Sequence, residues 1–277
     1  MGSGLNHIIE YLKLQRGMDF CGYRLSTLQR RLSVRMSQVG ALSSAAYWER
    51  LISDPAEPDR LIDVFGVNVS HFFRDPLVFE MIGQRLLPEL IESKIEAGNR
   101  EIRVWSAGCG GGEEAYSLAI LLHQTLKKQQ GSWRSYIFAS DINGQALQQA
   151  AQAYYPREKF KDTRLTFLDE YFVPTDNGFA ARPFLREMVQ FSSDDLTSLE
   201  RMSPAESIYG SFDLILCRNV LIYFDAELRE RVFEKLYHAL GCSGILVLGN
   251  AEVLPNQLAE KFKTIDVGCR IWRKASR

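Results

Sequence analysis

Beyond residue 100 the chain alternates short apolar runs with helical stretches, and few folds accept that order. "EIRVWSAG" reads as a short buried strand and "GGEEAYSLAILLHQTLKK" as an amphipathic helix. "SYIFASD" and "GQALQQAAQAYY" repeat the pair, and "MVQFSS" is a third strand. "FDLILCRN" is a fourth, followed by the helix "DAELRERVFEKLYHAL"; "GILVLGN" is a fifth, and "CRIWRK" reads as an edge strand. Such alternation predicts an α/β domain, a Rossmann-like parallel sheet with helices on both faces. Between about 156 and 190 the rhythm breaks. There "EYFVPTDNGFAARPFL" places a turn at Asp176-Asn177-Gly178 between short apolar segments, which predicts a small inserted antiparallel β subdomain.

The front of the chain follows another period. Residues 1–66 read as an all-α domain. In "STLQRRLSVRMSQVG", Leu28, Leu32, Met36 and Val39 fall on one helical face and Gly40 supplies a stop. Ser26 and Gln29 have the spacing of a capping box. Arg31 and Arg35 lie one turn apart beside the apolar stripe, either as the solvated edge of a small bundle or as a basic surface for an acidic helix. "SDPAEPDRL" predicts a loop with a helix starting near Asp59. Asp75-Pro76 suits an N-cap and first helical position, so a helix is expected from Pro76, with a break near Pro88. Residues 67–87 would join the front domain to an α/β domain over 88–277, with Asn68 to Arg74 irregular.

Charge and cysteine content narrow the function classes. Net charge is −1, which gives no reason to expect nucleic-acid binding. Residues 1–50 nonetheless hold seven Lys and Arg against three Asp and Glu, a basic front that suits an acidic partner. No apolar run approaches the roughly 18–20 residues of a membrane span, so no membrane insertion is expected. The start lacks the pattern of a signal peptide. Five cysteines without a C-x-x-C pair, and four scattered histidines, suggest neither a disulfide framework nor a metal site. A reducing cytoplasm is the expected setting.

In an open parallel sheet, ligands bind beyond the carboxyl ends of the strands. Three such ends carry unusual residues. The first is "SAGCGGGEEAY", with Gly108, Gly110, Gly111 and Gly112. Counted as a dinucleotide fingerprint from Gly108, it has Glu113 where the third glycine belongs. Carboxylates at a helix start suit its dipole but repel a pyrophosphate, so a ligand with a positive group fits better; the plain alternative is a tight turn with capping glutamates. The second is Asp141, placed to accept from ribose hydroxyls or to form a local turn. The third is Arg218-Asn219, with Tyr223 four residues on. A positive, ribose-bearing cofactor on such a sheet points to S-adenosylmethionine, with NAD as the competitor that the acidic loop disfavours.

These stretches resemble the chemotaxis-receptor glutamate methyltransferases, the CheR family. The likeness runs through "GMDFCGYRLSTLQRRLSVRM", "NVSHFFRDP", "RVWSAGCGGGEEAYSLAILL", "FASDINGQALQQA", "VQFSSDDL" and "FDLILCRNVLIYFD", nearly the whole chain in order. The resemblance implies methyl transfer from S-adenosylmethionine to glutamate side chains on the cytoplasmic helices of chemoreceptors, with S-adenosylhomocysteine as product. It places Asn68, Ser70 and Arg74 of the linker at the cofactor, with Gly108, Glu114, Asp141, the Asp195-Leu196 pair beside adenine, and Arg218-Asn219. Arg74 and Tyr223 are expected at the transferred methyl, Arg31 and Arg35 at the receptor; a monomer is expected. Ser70 stands for a more usual threonine, Asp195 for asparagine, and Ala251 for serine. Those departures leave a second reading, a non-catalytic module that binds the cofactor or its product and signals. The short "PTDNG" turn points away from members that hold a receptor's C-terminal tether on this subdomain.

Overall fold

The computed structural model describes residues 2–66, 70–198, 203–204, 207 and 211–275. It divides into two compact units. One gathers Met1–Val67 and Leu221–Val232, the other Asn68–Val220 and Phe233–Arg277.

The first unit is helical: α1 (Gly2–Arg16), α2 (Leu25–Gln38), α3 (Ser44–Ser53) and α4 (Glu57–Phe65). Leu5, Ile8, Leu12, Phe20, Leu28, Leu32, Leu51 and Leu61 form its core, with Met36 and Val39 packed against it. The expected capping box does not form, because α2 starts at Leu25 and no side chain caps it. Backbone pairing fixes that entry instead: the Arg24 N–H donates to the Tyr223 carbonyl at 2.8 Å, and the Asp225 N–H to the Gly22 carbonyl at 2.7 Å. These bonds also explain why Leu221–Val232 belongs to this unit, which the sequence pattern assigned to the α/β domain. At the other end the Ala41 N–H reaches the Met36 carbonyl and the Gly40 N–H that of Ser37, closing the helix as a Schellman motif.

The second unit opens on α5 (Pro76–Met81), which runs through a π-helical turn, Ile82–Leu86, into α6 (Leu87–Glu96). The expected break at Pro88 is thus a widened turn. Pro88 has no N–H for the Gln84 carbonyl and would crowd it, and a π turn just before the proline relieves both faults. The strands β1 (Glu101–Ala107) and β2 (Arg134–Asp141) are separated by α7 (Glu113–Leu126), and α8 (Gly144–Gln152) follows. Next come β3 (Tyr154–Pro156), α9 (Leu165–Tyr171), β4 (Phe172–Thr175), β5 (Gly178–Ala181), α10 (Pro183–Glu187) and β6 (Val189–Ser193). The chain closes with β7 (Phe212–Cys217), α11 (Ala226–Ala239), β8 (Leu240–Leu248), β9 (Phe262–Asp266) and β10 (Ile271–Lys274).

The large sheet has the order β6-β2-β1-β7-β8-β10-β9. Its first five strands are parallel, and β10 and β9 close it antiparallel. "CRIWRK" is therefore not the edge: β10 pairs with β8 on one side and with β9 on the other. The edge is "FKTID", whose exposed Lys263 and Thr264 hide it from a hydrophobic reading. β3, β5 and β4 form the separate antiparallel sheet. Among the described residues no helix is long and apolar enough to cross a membrane, and no acidic, His or Cys group could hold a metal ion.

Candidate functional site

Strand order reverses between β1 and β7, since β1 has β2 on one flank and β7 on the other. A crevice is expected beyond their carboxyl ends. The glycine loop lies there. The Gly108 and Cys109 N–H groups donate to the Ser140 carbonyl at the end of β2. Gly108 has φ +75°, and a Cβ on it would collide with the Val220 side chain. At Gly112, φ is +87° and a Cβ would sit 2.8 Å from that of Ala150, so only glycine lets α7 start this close to α8.

Asp141 binds the loop from below. Its Oδ2 accepts the Gly110 N–H at 2.8 Å and its Oδ1 the Asn143 N–H at 2.9 Å. Burial raises its pKa, and those backbone bonds only partly offset the rise. Glu114 behaves alike. Its Oε1 accepts from the Ser106 hydroxyl at 2.8 Å and its Oε2 from Arg218 at 3.2 Å, yet burial still lifts its pKa. Both residues are mostly but not wholly buried.

Arg218 is almost wholly buried. It donates to Glu114, to the Arg74 carbonyl at 3.1 Å and to Asp75 Oδ2 at 2.6 Å. These bonds tie the linker to the end of β7. Asp75 and Pro76 stand at the N-cap and first position of α5, as the sequence suggested, but the Asp75 side chain makes no cap bond; its φ is +62° and its carboxylate faces Arg218. Asn219 also adopts a left-handed backbone, φ +62°. Glu252 makes that possible, accepting the N–H groups of Asn219, Val220 and Gly249 at 3.1, 2.9 and 2.7 Å.

The linker is anchored by its aromatic pair. Phe72 is fully buried and stacks on Phe160, with Tyr155 and Phe172 at its edges. Phe73 stacks on Phe167, and its N–H donates to the Ser117 hydroxyl on α7. Arg74 follows directly. The Ser70 carbonyl accepts from Lys159. Asn68 lies outside the described residues.

Asp195 and Leu196 follow the end of β6, where Ser193 pairs with Asp141 and the Asp194 N–H donates to the Asp141 carbonyl. Asp195 Oδ1 takes the Thr197 N–H and hydroxyl, which shapes the turn. The second unit thus assembles Ser70, Arg74, Gly108, Glu114, Asp141, Asp195, Leu196, Arg218 and Asn219 around strand ends. Sequence reasoning passed over Glu252, although a lone acid three residues after a strand-end glycine was a usable signal.

Tyr223, Arg31 and Arg35 belong to the first unit. The Arg31 guanidinium lies 5.4 Å from the centre of the Tyr223 ring and donates to the Val64 and Phe65 carbonyls. Arg35 makes a two-pronged pair with fully buried Glu57 at 2.8 and 2.7 Å. Both guanidiniums are bonded within the unit.

The acceptor set fits S-adenosylmethionine. Asp141 and Glu114 are acceptors of the kind that ribose hydroxyls and an α-ammonium would use. The carboxylates of Glu113 and Glu114 in the first turn of α7 disfavour a pyrophosphate there.

Comparison with known proteins gives the same result. Residues 68–270 match the family described as CheR methyltransferase, SAM binding domain, and residues 3–65 the CheR methyltransferase, all-alpha domain. A chemotaxis protein methyltransferase of Borreliella burgdorferi is 32% identical over 198 residues, covering 70% of this chain and 67% of that protein. Chemotaxis protein methyltransferase 1 of Pseudomonas aeruginosa is 31% identical over 240 residues, covering 85% of this chain and 84% of that protein. An uncharacterized 104.1 kDa protein of Rhodobacter capsulatus is 32% identical over 97% of this chain, which spans only 27% of that relative's length. The cofactor is S-adenosylmethionine, and the chain belongs to the CheR methyltransferase family.

Proposed function

We propose that the protein esterifies glutamate side chains on the cytoplasmic helices of chemoreceptors, for adaptation in chemotaxis-type signalling. The observation that supports this reading is the match of residues 3–65 and 68–270 to the two CheR methyltransferase domains, with Asp141 and Glu114 at the switch point of the sheet. S-adenosylmethionine supplies an electrophilic methyl on a sulfonium. A glutamate carboxylate has a reference pKa of about 4.3 and is ionised at neutral pH, so the chain needs no general base. Its task is to strip water and align the attacking oxygen. Such positioning is worth about 7–11 kcal/mol in ideal cases.

Asp141 accepts from ribose and Glu114 from the amino-acid end. Ser70 and Gly108 line the site, and Asp195-Leu196 meets the adenine. Arg218, Asn219 and Glu252 hold the strand ends in place. Arg74 fixes the cofactor and orients the incoming carboxylate; too much positive charge there would stabilise the ground state and slow attack. The family resemblance gives Tyr223 the methyl site, as a donor or a wall. Docking on an acidic receptor helix falls to the basic front unit. Exposed Arg30 serves it more readily than Arg35, which would first have to leave Glu57.

The test is methyl-ester formation on receptor fragments with labelled cofactor. Arg74→Ala and Tyr223→Phe are expected to lower turnover, Arg74→Ala at least tenfold. Wild-type turnover and affinity in both variants would remove them from the mechanism. Tight cofactor binding without transfer to any receptor fragment would favour the non-catalytic module.

A further inference from the structure

Lys159 stands where three parts of the second unit converge. It lies in the 3₁₀ turn Arg157–Phe160, directly after β3. Its Nζ donates to the Ser70 carbonyl at 2.7 Å and pairs with Glu113 Oε1 at 2.6 Å. Its own carbonyl accepts the Phe72 N–H at 2.9 Å. One residue of the inserted antiparallel piece therefore grips the linker twice and the head of α7 once. The next residue, Phe160, stacks nearly flat on Phe72 with ring centres 4.6 Å apart.

Glu113 makes this more than a packing contact. It is 1% exposed, and its Oε2 has no hydrogen-bond partner among the described residues. A buried carboxylate with an idle oxygen is a poor choice for stability alone, where an apolar residue of similar volume often does as well. Its place in the chain supplies a reason. Glu113 precedes Glu114, so a tie on Glu113 fixes the first turn of α7, on which Glu114 meets Ser106 and Arg218. On the linker side, the two bonds at Ser70 and Phe72 bracket the approach to Arg74.

We infer that Lys159 is a positioning residue for the bound cofactor: its ammonium sets the spacing between the linker and the head of α7, and with it the places of Arg74 and Glu114. Lys159 touches no reacting atom. The inference rests on the reading that Arg74 and Glu114 serve the S-adenosylmethionine site.

Lys159→Met removes the ammonium at nearly constant length, and Lys159→Arg restores a cation. In cofactor-free protein, amide exchange over residues 70–74 is expected to quicken about tenfold in Lys159→Met, the scale of one lost charge-assisted bond. Exchange in β1 and β7 stays unchanged. The dissociation constant for S-adenosylhomocysteine, read by calorimetry, rises about tenfold and falls back in Lys159→Arg. The double variant Glu113→Gln with Lys159→Met strands no buried charge, so it recovers the melting temperature while its affinity stays weak. Recovery of both in the double variant overturns the inference, as does affinity in Lys159→Met within about twofold of the unaltered protein. If the unaltered protein fails to bind the product, the site reading fails instead, and the exchange measurement still decides whether Lys159 holds the linker.

Discussion

Asp141 and Glu114 are acids that burial makes reluctant to ionise, and the roles proposed for them at the cofactor use the ionised form. Their ordinary values are 3.8 and 4.5, and both are raised. Cofactor affinity should therefore be full well above the raised values and fall as the pH drops through them, at a higher pH than ordinary carboxylates would give. Calorimetric titration of S-adenosylhomocysteine from about pH 8 downward checks this. A profile that stays flat to the ordinary carboxylate range would show that neither acid is coupled to the ligand. Glu252 makes a different prediction, because both its carboxylate oxygens accept from backbone N–H groups. Its two oxygens serve three N–H groups, and the amide of Glu252→Gln offers one acceptor and an unwanted donor. Stability should fall by about 1–3 kcal/mol, and affinity with it as Asn219 leaves its left-handed conformation. Urea unfolding beside calorimetry measures both; loss of stability with unchanged affinity would separate Asn219 from the site.

Among the elements, α4 carries the largest buried charge of the front unit. Glu57, in its first turn, is fully buried and accepts from Arg35 and from the Tyr47 hydroxyl at 3.0 Å, with Arg50 at 3.5 Å. Burial would raise its carboxyl, but the bonds from Arg35 and Tyr47 outweigh that and hold its pKa below the ordinary 4.5. A lowered acid contributes stability above its unfolded pKa and loses it as the pH falls through the folded one. The unit should therefore weaken below about pH 4.5. Glu57→Gln should cost about 3–5 kcal/mol at neutral pH, because the Arg35 charge is left without its partner. A denaturation midpoint within error of the unaltered protein would refute this account. The same cluster explains why exchanging Arg35 for Glu is a poor probe of receptor docking: two carboxylates would meet in one dry site, and unfolding would imitate lost docking.

At the scale of the whole chain, strand ends were legible and the ties between them were not. Gly108, Glu114 and Asp141 announce themselves because each stands where an apolar run stops beside a turn-forming residue. Arg218 and Asp75 are 143 residues apart, and Lys159 and Ser70 are 89 apart. No local pattern marks such pairs. Arg218 sits at a strand end as expected, and its partners Glu114, the Arg74 carbonyl and Asp75 come from segments that no local pattern ties to it. The inserted β sheet lies between these cases. Its turn was visible at Asp176-Asn177-Gly178, and the structure narrows it to the first two, pairing Thr175 with Gly178 around them. A two-residue turn leaves no loop to fold over a peptide. A Cβ on Gly178 would already strike the Tyr155 carbonyl. Receptor methylation should accordingly proceed at similar rates whether or not the fragment carries a C-terminal tail beyond its methylation helices. Initial rates at fragment concentrations below KM, with and without the tail, are the measurement, since a tether acts by raising effective concentration. A tail that speeds methylation about tenfold or more would mean that this sheet holds a peptide despite its short turn.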